Sequence, residues 1–172
     1  MQRWRAEGGY RDVFSVAVPL ILSTATWSLQ NFIDRVFLSW WSQEAVAASL
    51  PAGMLNFSLV SFFLGTAGYV STFVAQYFGS EQKKMIGPVL WQGLYIALAG
   101  GIALLPFIPL ADMIFNFIGH SAEVRQAEVV YFRILCLGAL PLVASSAMSG
   151  FFSGLGRTGV VLASNLAATA EN

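Results

Sequence analysis

Few groups inside the chain's apolar stretches could hold or move a proton or a cation, and one of them, Asp34, stands with other polar residues on one side of the first. At about 100° per residue, Ser23, Trp27, Gln30, Asn31 and Asp34 fall within roughly 60° of Asp34, in a run otherwise built of Leu, Ile, Val and Phe. Lipid supplies no hydrogen bonds, so a polar stripe of this kind should face other helices or a water-filled cavity. An ionised carboxylate at that depth costs on the order of several kcal/mol unless it is paired or hydrated. Asp34 is therefore a candidate proton or cation site, with Trp27, Gln30 and Asn31 as candidates to line a cavity beside it. The plainer alternative is that Asp34 anchors the helix end together with Arg35. Neighbours one apart diverge by about 100° on a helix, which disfavours a direct pair; Arg35 can instead snorkel toward the headgroups.

A second stripe, Ser58, Ser61, Gly65, Tyr69, Thr72, Gln76 and Gly79, recurs at intervals of three or four. Small residues on one face permit close helix approach, and hydroxyls or amides there could bridge to a neighbour. Tyr69, Thr72 and Gln76 are added to the cavity candidates. Gly93, Ala97 and Gly101, and then Gly150 and Gly154, form ridges that read as packing devices.

Other signals are weaker. His120, the single histidine, has no second metal ligand at usable spacing, and Cys136, the single cysteine, excludes an intrachain disulfide and a multi-cysteine metal site. Arg133, with Arg125 and Glu128 close by, suggests an interfacial charge cluster. "GLGRTG" matches the glycine spacing of a dinucleotide fingerprint, but an apolar helix precedes it where the fingerprint needs a strand. It reads as a turn. With no nucleophile–base pair, metalloprotease helix or phosphate loop, neither an enzyme nor a cofactor is expected.

The surrounding elements account for this placement. Of 172 residues, 56% are hydrophobic and 10% charged, against about 25% charged in a soluble domain. Bilayer crossings need about 20 mostly apolar residues each, and four segments qualify: 13–41, 50–78, 86–110 and 129–152. A fifth starts at Val160 and is too short to cross by Asn172, so the sequence reads as part of a longer protein. The first run is too long for a signal peptide, and all the runs are too long for barrel strands. Pro19, Pro106 and Pro141 lie inside apolar runs, where each is expected to kink its helix. Zero net charge gives no basic surface for nucleic acid. Arg3, Arg5, Arg11, Lys83, Lys84 and Arg157 fall on one set of alternate connections and Arg125 on the other, which puts the N-terminus in the cytoplasm. The fold class is all-α, a polytopic membrane helical bundle.

Three stretches together, "VPLILSTATWSLQNFID", "TFVAQYFGS" and "GFFSGLGRTG", resemble the N-terminal part of the multidrug and toxic compound extrusion (MATE) family of efflux transporters. The resemblance implies a protein of twelve transmembrane helices in two lobes, of which this chain covers about four and a half, with the remaining helices as its partners. It further implies alternating access and export of organic, often cationic, compounds across the cytoplasmic membrane in exchange for H+ or Na+. The family's first-helix aspartate, implicated in cation coupling, corresponds to Asp34. Where the family often has a small or polar residue next, this chain has Arg35, followed by "VFLSWW" where a glycine is more typical, which suggests a distinct subgroup. A lipid-linked-precursor flippase of related architecture is the alternative, and it would need a cavity rich in Arg or Lys.

Overall fold

The computed structural model describes residues 10–170, the side chains of residues 11, 12, 16, 23, 27, 169 and 170 excepted. Arg3 and Arg5, on which the orientation reading partly rests, lie outside the described residues, as does the Arg11 side chain. Among the described residues six helices follow one another: α1 (Tyr10–Trp41), α2 (Gln43–Gly79), α3 (Ile86–Leu104), α4 (Phe107–Ile118), α5 (Ala122–Gly154) and α6 (Thr158–Ala170), with a single 3-10 turn, Lys83–Met85, before α3. Among the described residues there is no strand, and four helical stretches are long and apolar enough to cross a membrane: Val13–Trp41, Gln43–Gly79, Lys83–Leu104 and Ala122–Gly154.

The helix starts follow capping chemistry. Ser42 accepts a hydrogen bond from the Ala45 amide at 3.0 Å, and Ser121 accepts one from Val124 at 3.4 Å. Glu44 and Glu123 lie in the first turns of α2 and α5, where the helix dipole favours negative charge. Gly119, with φ of 83°, closes α4 in the left-handed conformation that only glycine adopts without strain.

The third apolar run departs from expectation. The sequence predicts one span, 86–110, kinked at Pro106, with 111–128 as a polar connection. Instead the helix ends at Leu104, Pro106 stands at the N-cap of a new helix, and α4 together with the start of α5 occupies most of the supposed connection. Proline cannot donate to the preceding turn, and the Leu105 amide closes onto Ile102 in a tightened final turn. Pro19, Pro51 and Pro141 remain inside their helices.

The core is a bundle of α2, α3 and α5. Asn56 on α2 meets Cys136 on α5, 80 residues further on. A Cβ built on Gly150 would approach Val70, and one on Gly154 would strike Val74. The constant offset means that α2 and α5 run parallel. Helix α3 returns antiparallel between them: a Cβ on Gly93 would lie 2.6 Å from Val70 and 3.0 Å from Ala147, and one on Gly101 would lie 2.7 Å from Leu140. The Gly93–Ala97–Gly101 and Gly150–Gly154 ridges therefore bring backbones together. The Ser58–Gly79 stripe does not. Gly65 and Gly79 have nothing within 4 Å of an added Cβ, and α2 buries the opposite face, Ala52, Asn56, Val60, Ala67, Val70 and Val74. The stripe's hydroxyls also fail to bridge helices: Ser58 donates to the Met54 carbonyl at 2.8 Å and Ser61 to that of Ser58 at 3.0 Å. Satisfying a hydroxyl within its own helix removes its cost in lipid without a partner helix.

Helix α4 is fastened to α5 by an apolar and a polar contact. Phe115 and Phe132, both fully buried, meet edge to face with centroids 5.5 Å apart. Arg133 donates to the Ile108 carbonyl at 3.1 Å and to Asp112 at 2.5 Å, and Arg125 donates to Asn116. Arg133 is thus paired across helices and takes no part in a cluster with Glu128. Because the ion pair is well exposed, Arg133→Ala should cost at most about 1 kcal/mol, whereas Phe115→Ala should cost about 3 kcal/mol. Thermal unfolding of the two variants in detergent checks that order. Helix α1 packs on α6 and on α2, and none of its described residues is buried.

Candidate functional site

In α1 most hydroxyls are satisfied locally: Thr24 donates to Leu20, Thr26 to Leu22 and Ser28 to Thr24, at 3.0, 2.8 and 3.1 Å. That leaves the amides and the carboxylate of the first stripe as its chemically distinctive groups. Asp34 lines an open groove of about 490 Å³ with Phe37, Leu38, Trp41 and Tyr131. Leu38, Trp41 and Tyr131 also line a neighbouring groove of about 550 Å³, which adds Glu44 from the start of α2 and Glu123 from the start of α5. The two form one continuous trough where α1 ends and α2 and α5 begin. Three carboxylates, an indole and a phenol line it, and among the described residues no Arg or Lys does. Aromatic faces and carboxylates together attract an organic cation, the rings through their quadrupoles and the acids through charge. Arg35 instead lines a separate groove with Ser49, Leu50 and Phe57, as the 100° step between neighbours predicts.

The cavity candidates do not converge. Gln30 is half-buried and Asn31 exposed, and neither lines the Asp34 trough; the Trp27 side chain lies outside the described residues. Tyr69 lines another groove, about 350 Å³, between α2 and α3 with Thr66, Phe73, Val89 and Gln92. Thr72 and Gln76 are exposed on α2 and line neither groove. Glu44 and Glu123 escape the sequence because 43–48 and 111–128 read as connections, whose residues have no face until the helices are placed; Tyr131, in the fourth span, belongs to neither polar stripe.

Glu128 was also misread as interfacial. It is fully buried, and its Oε1 lies 2.7 Å from His120 Nδ1, so His120 has a nearby carboxylate that sequence spacing did not reveal. The signal existed: Glu128, Phe132, Cys136, Ala139, Val143 and Ala147 step by three or four along the buried stripe of α5. No cluster of three or more His, Cys, Asp or Glu suited to a metal occurs among the described residues.

An antiparallel and parallel packing of long apolar helices, with polar groups held toward a trough, is the architecture of a polytopic membrane helical bundle. The profile of the MatE family matches residues 19–171, and the chain belongs to that family; it is an integral membrane protein. It is similar to the probable multidrug resistance protein NorM of Synechocystis sp., 25% identical over 99% of this chain and 37% of the relative. The corresponding protein of Geobacillus kaustophilus is 28% identical over 96% of this chain and 36% of its own length. The chain thus spans about a third of the length of the curated relatives it matches. A MOP superfamily transporter from Pyrococcus furiosus has the same fold over 92% of this chain and 35% of its own, with a TM-score of 0.84 and 19% identity.

Proposed function

We propose that the protein to which this chain belongs is a cation-coupled antiporter. It exports organic, often cationic, compounds by alternating access, in exchange for H+ or Na+, with its N-terminus in the cytoplasm and its remaining helices forming the rest of the two lobes. The carrying observation is the trough that joins Asp34 to Glu44 and Glu123 beside Trp41 and Tyr131, with no basic residue among the described ones lining it. The multidrug resistance relatives support the same substrate class, and the alternation of Lys and Arg supports the orientation. Asp34 is assigned the coupling role: occupied by a proton or Na+ it is neutralised, and vacated it draws the substrate cation, so the two exchange at one end of the bundle. Coupling requires only that the ion bind the two states with different affinity. A flippase for a lipid-linked phosphate calls for basic lining, yet Arg35 lines another groove and Arg133 is engaged with Asp112.

The test is transport in proteoliposomes of the intact protein, with ethidium as a permanently charged amphipathic cation and imposed H+ or Na+ gradients. Gradient-driven ethidium movement supports antiport. Gradient-independent transfer of a fluorescent polyprenyl phosphate, with ethidium unmoved, would establish the flippase instead.

A further inference from the structure

The groove beside Arg35 stands outside the transport reading and joins one cation to a hydrocarbon wall. Its volume is about 430 Å³, with Arg35 of α1 on one side and Leu50, Gly53, Met54 and Phe57 of α2 on the other. Leu50, Met54 and Phe57 step by four and three, so they share one helix face, and they are 51%, 64% and 64% exposed. Gly53 leaves a gap among them, since nothing lies within 4 Å of a Cβ added there. The two lining hydroxyls are already spent: Ser49 donates to the Val46 carbonyl at 2.8 Å and Ser58 to that of Met54. Among the described lining residues, only Arg35 has side-chain protons left to donate into the groove.

The described protein offers this cation no counter-charge. Arg35 enters neither of the ion pairs among the described residues, His120–Glu128 and Arg133–Asp112. Asp34 and Glu44 line the trough instead, α2 carries no charge from Ala45 to Gly79, and α6, which also packs on α1, carries none. Arg35 also stands six residues short of Trp41, about 9 Å along the axis at about 1.5 Å per residue. Trp40 and Trp41, 75% and 85% exposed, mark the interfacial end of the helix, so the arginine starts from within the apolar layer. Its guanidinium is always charged, and its fork matches a phosphate. The α1–α2 hairpin turns at Ser42, which sets Arg35 level with Ser49 and carries Leu50, Met54 and Phe57 from there toward the bilayer interior. We infer that this groove holds an anionic phospholipid as a resident ligand, its phosphate on the Arg35 guanidinium and one acyl chain along Leu50, Met54 and Phe57. The lipid is neither cargo nor part of the trough. In the orientation proposed above, it belongs to the outer leaflet.

Native mass spectrometry of the intact protein, delipidated in detergent and titrated with dioleoyl phosphatidylglycerol or dioleoyl phosphatidylcholine, reads the site. The wild type should bind its first phosphatidylglycerol about fivefold more tightly than phosphatidylcholine, the advantage of one arginine near an anionic headgroup. Arg35→Gln should erase that preference, and Arg35→Lys, which keeps the charge without the fork, should restore part of it. Gly53→Phe fills the gap beneath the cation and should weaken both lipids, because it obstructs the chain and leaves the charge in place. Arg35 is exposed and a Cβ at Gly53 meets nothing, so these variants leave the packing intact. Glycerol phosphate, an anion of the same kind without chains, should not compete; displacement of the lipid by it would make this a free-anion site and overturn the proposal. Equal wild-type affinity for the two lipids overturns it too, as does an unchanged preference in Arg35→Gln. Wild-type lipid affinity in Gly53→Phe, the result expected if another part of the protein fills the groove, does the same. None of these readouts depends on transport, so a failure of the antiport reading leaves the lipid site standing.

Discussion

In the intact protein, Asp34→Asn is expected to lower gradient-driven efflux of an organic cation at least tenfold, to background, while leaving expression and thermal stability unchanged. Asp34 is exposed within a trough and not packed into the core, so an isosteric amide should alter stability by no more than about 0.5 kcal/mol. Transport should respond quite differently, because the amide neither takes up a proton nor carries the charge that a cation exchanges against. A single carboxyl whose affinity for a proton differs by one pH unit between two states supplies about 1.4 kcal/mol of coupling, and asparagine supplies none. Asp34→Glu keeps the charge and should retain part of the activity. Efflux from energised vesicles, with protein levels matched, measures all three. Wild-type transport by Asp34→Asn would remove Asp34 from the mechanism and leave Glu44 and Glu123 as the acids to examine.

The second large effect concerns packing, and its sign is contrary to helix propensity. Exchanging glycine for alanine inside a helix ordinarily stabilises by about 1 kcal/mol. At Gly154 the new Cβ would lie 2.6 Å from the Ser71 carbonyl oxygen and 2.8 Å from the Val74 Cβ. The first of these is backbone and cannot swing aside, so α5 must retreat from α2. Overpacking of this kind costs about 1–3 kcal/mol, and Gly154→Ala is expected to lower the melting temperature. Gly138→Ala, on the same helix with nothing within 4 Å of the added methyl, should raise it or leave it unchanged. Thermal unfolding in detergent separates the two, and parallel behaviour would mean that the α2–α5 contact is looser than described.

Much of this was legible in the residues alone, for identifiable reasons. Long apolar runs marked the helices because a bilayer leaves the backbone no alternative. The glycine ridge on α3 was readable because close approach requires small side chains at fixed spacing. Periodicity does not reveal which face a neighbour will cover, and so the Ser58–Gly79 stripe was read as an interface although α2 packs through its other side. The break at Pro106 was missed because a proline in an apolar run is compatible with a kink, a stop or a new start. The trough was beyond sequence: it brings together the end of α1 and the beginning of α5, some 90 residues apart between Asp34 and Glu123, and only the assembled bundle sets them side by side.

The parallel pairing of α2 with α5 also bears on how the chain is made. Asn56 enters the bilayer 80 residues ahead of the Cys136 sulfur that its amide meets, which at roughly 5–20 residues per second is a delay of about 4–16 s at the ribosome. During that interval an uncompensated amide stands in hydrocarbon or against the insertion machinery, while α3 and α4 are threaded in turn. Biogenesis of this lobe is therefore obliged to wait, and the bundle can close only after α5 has emerged.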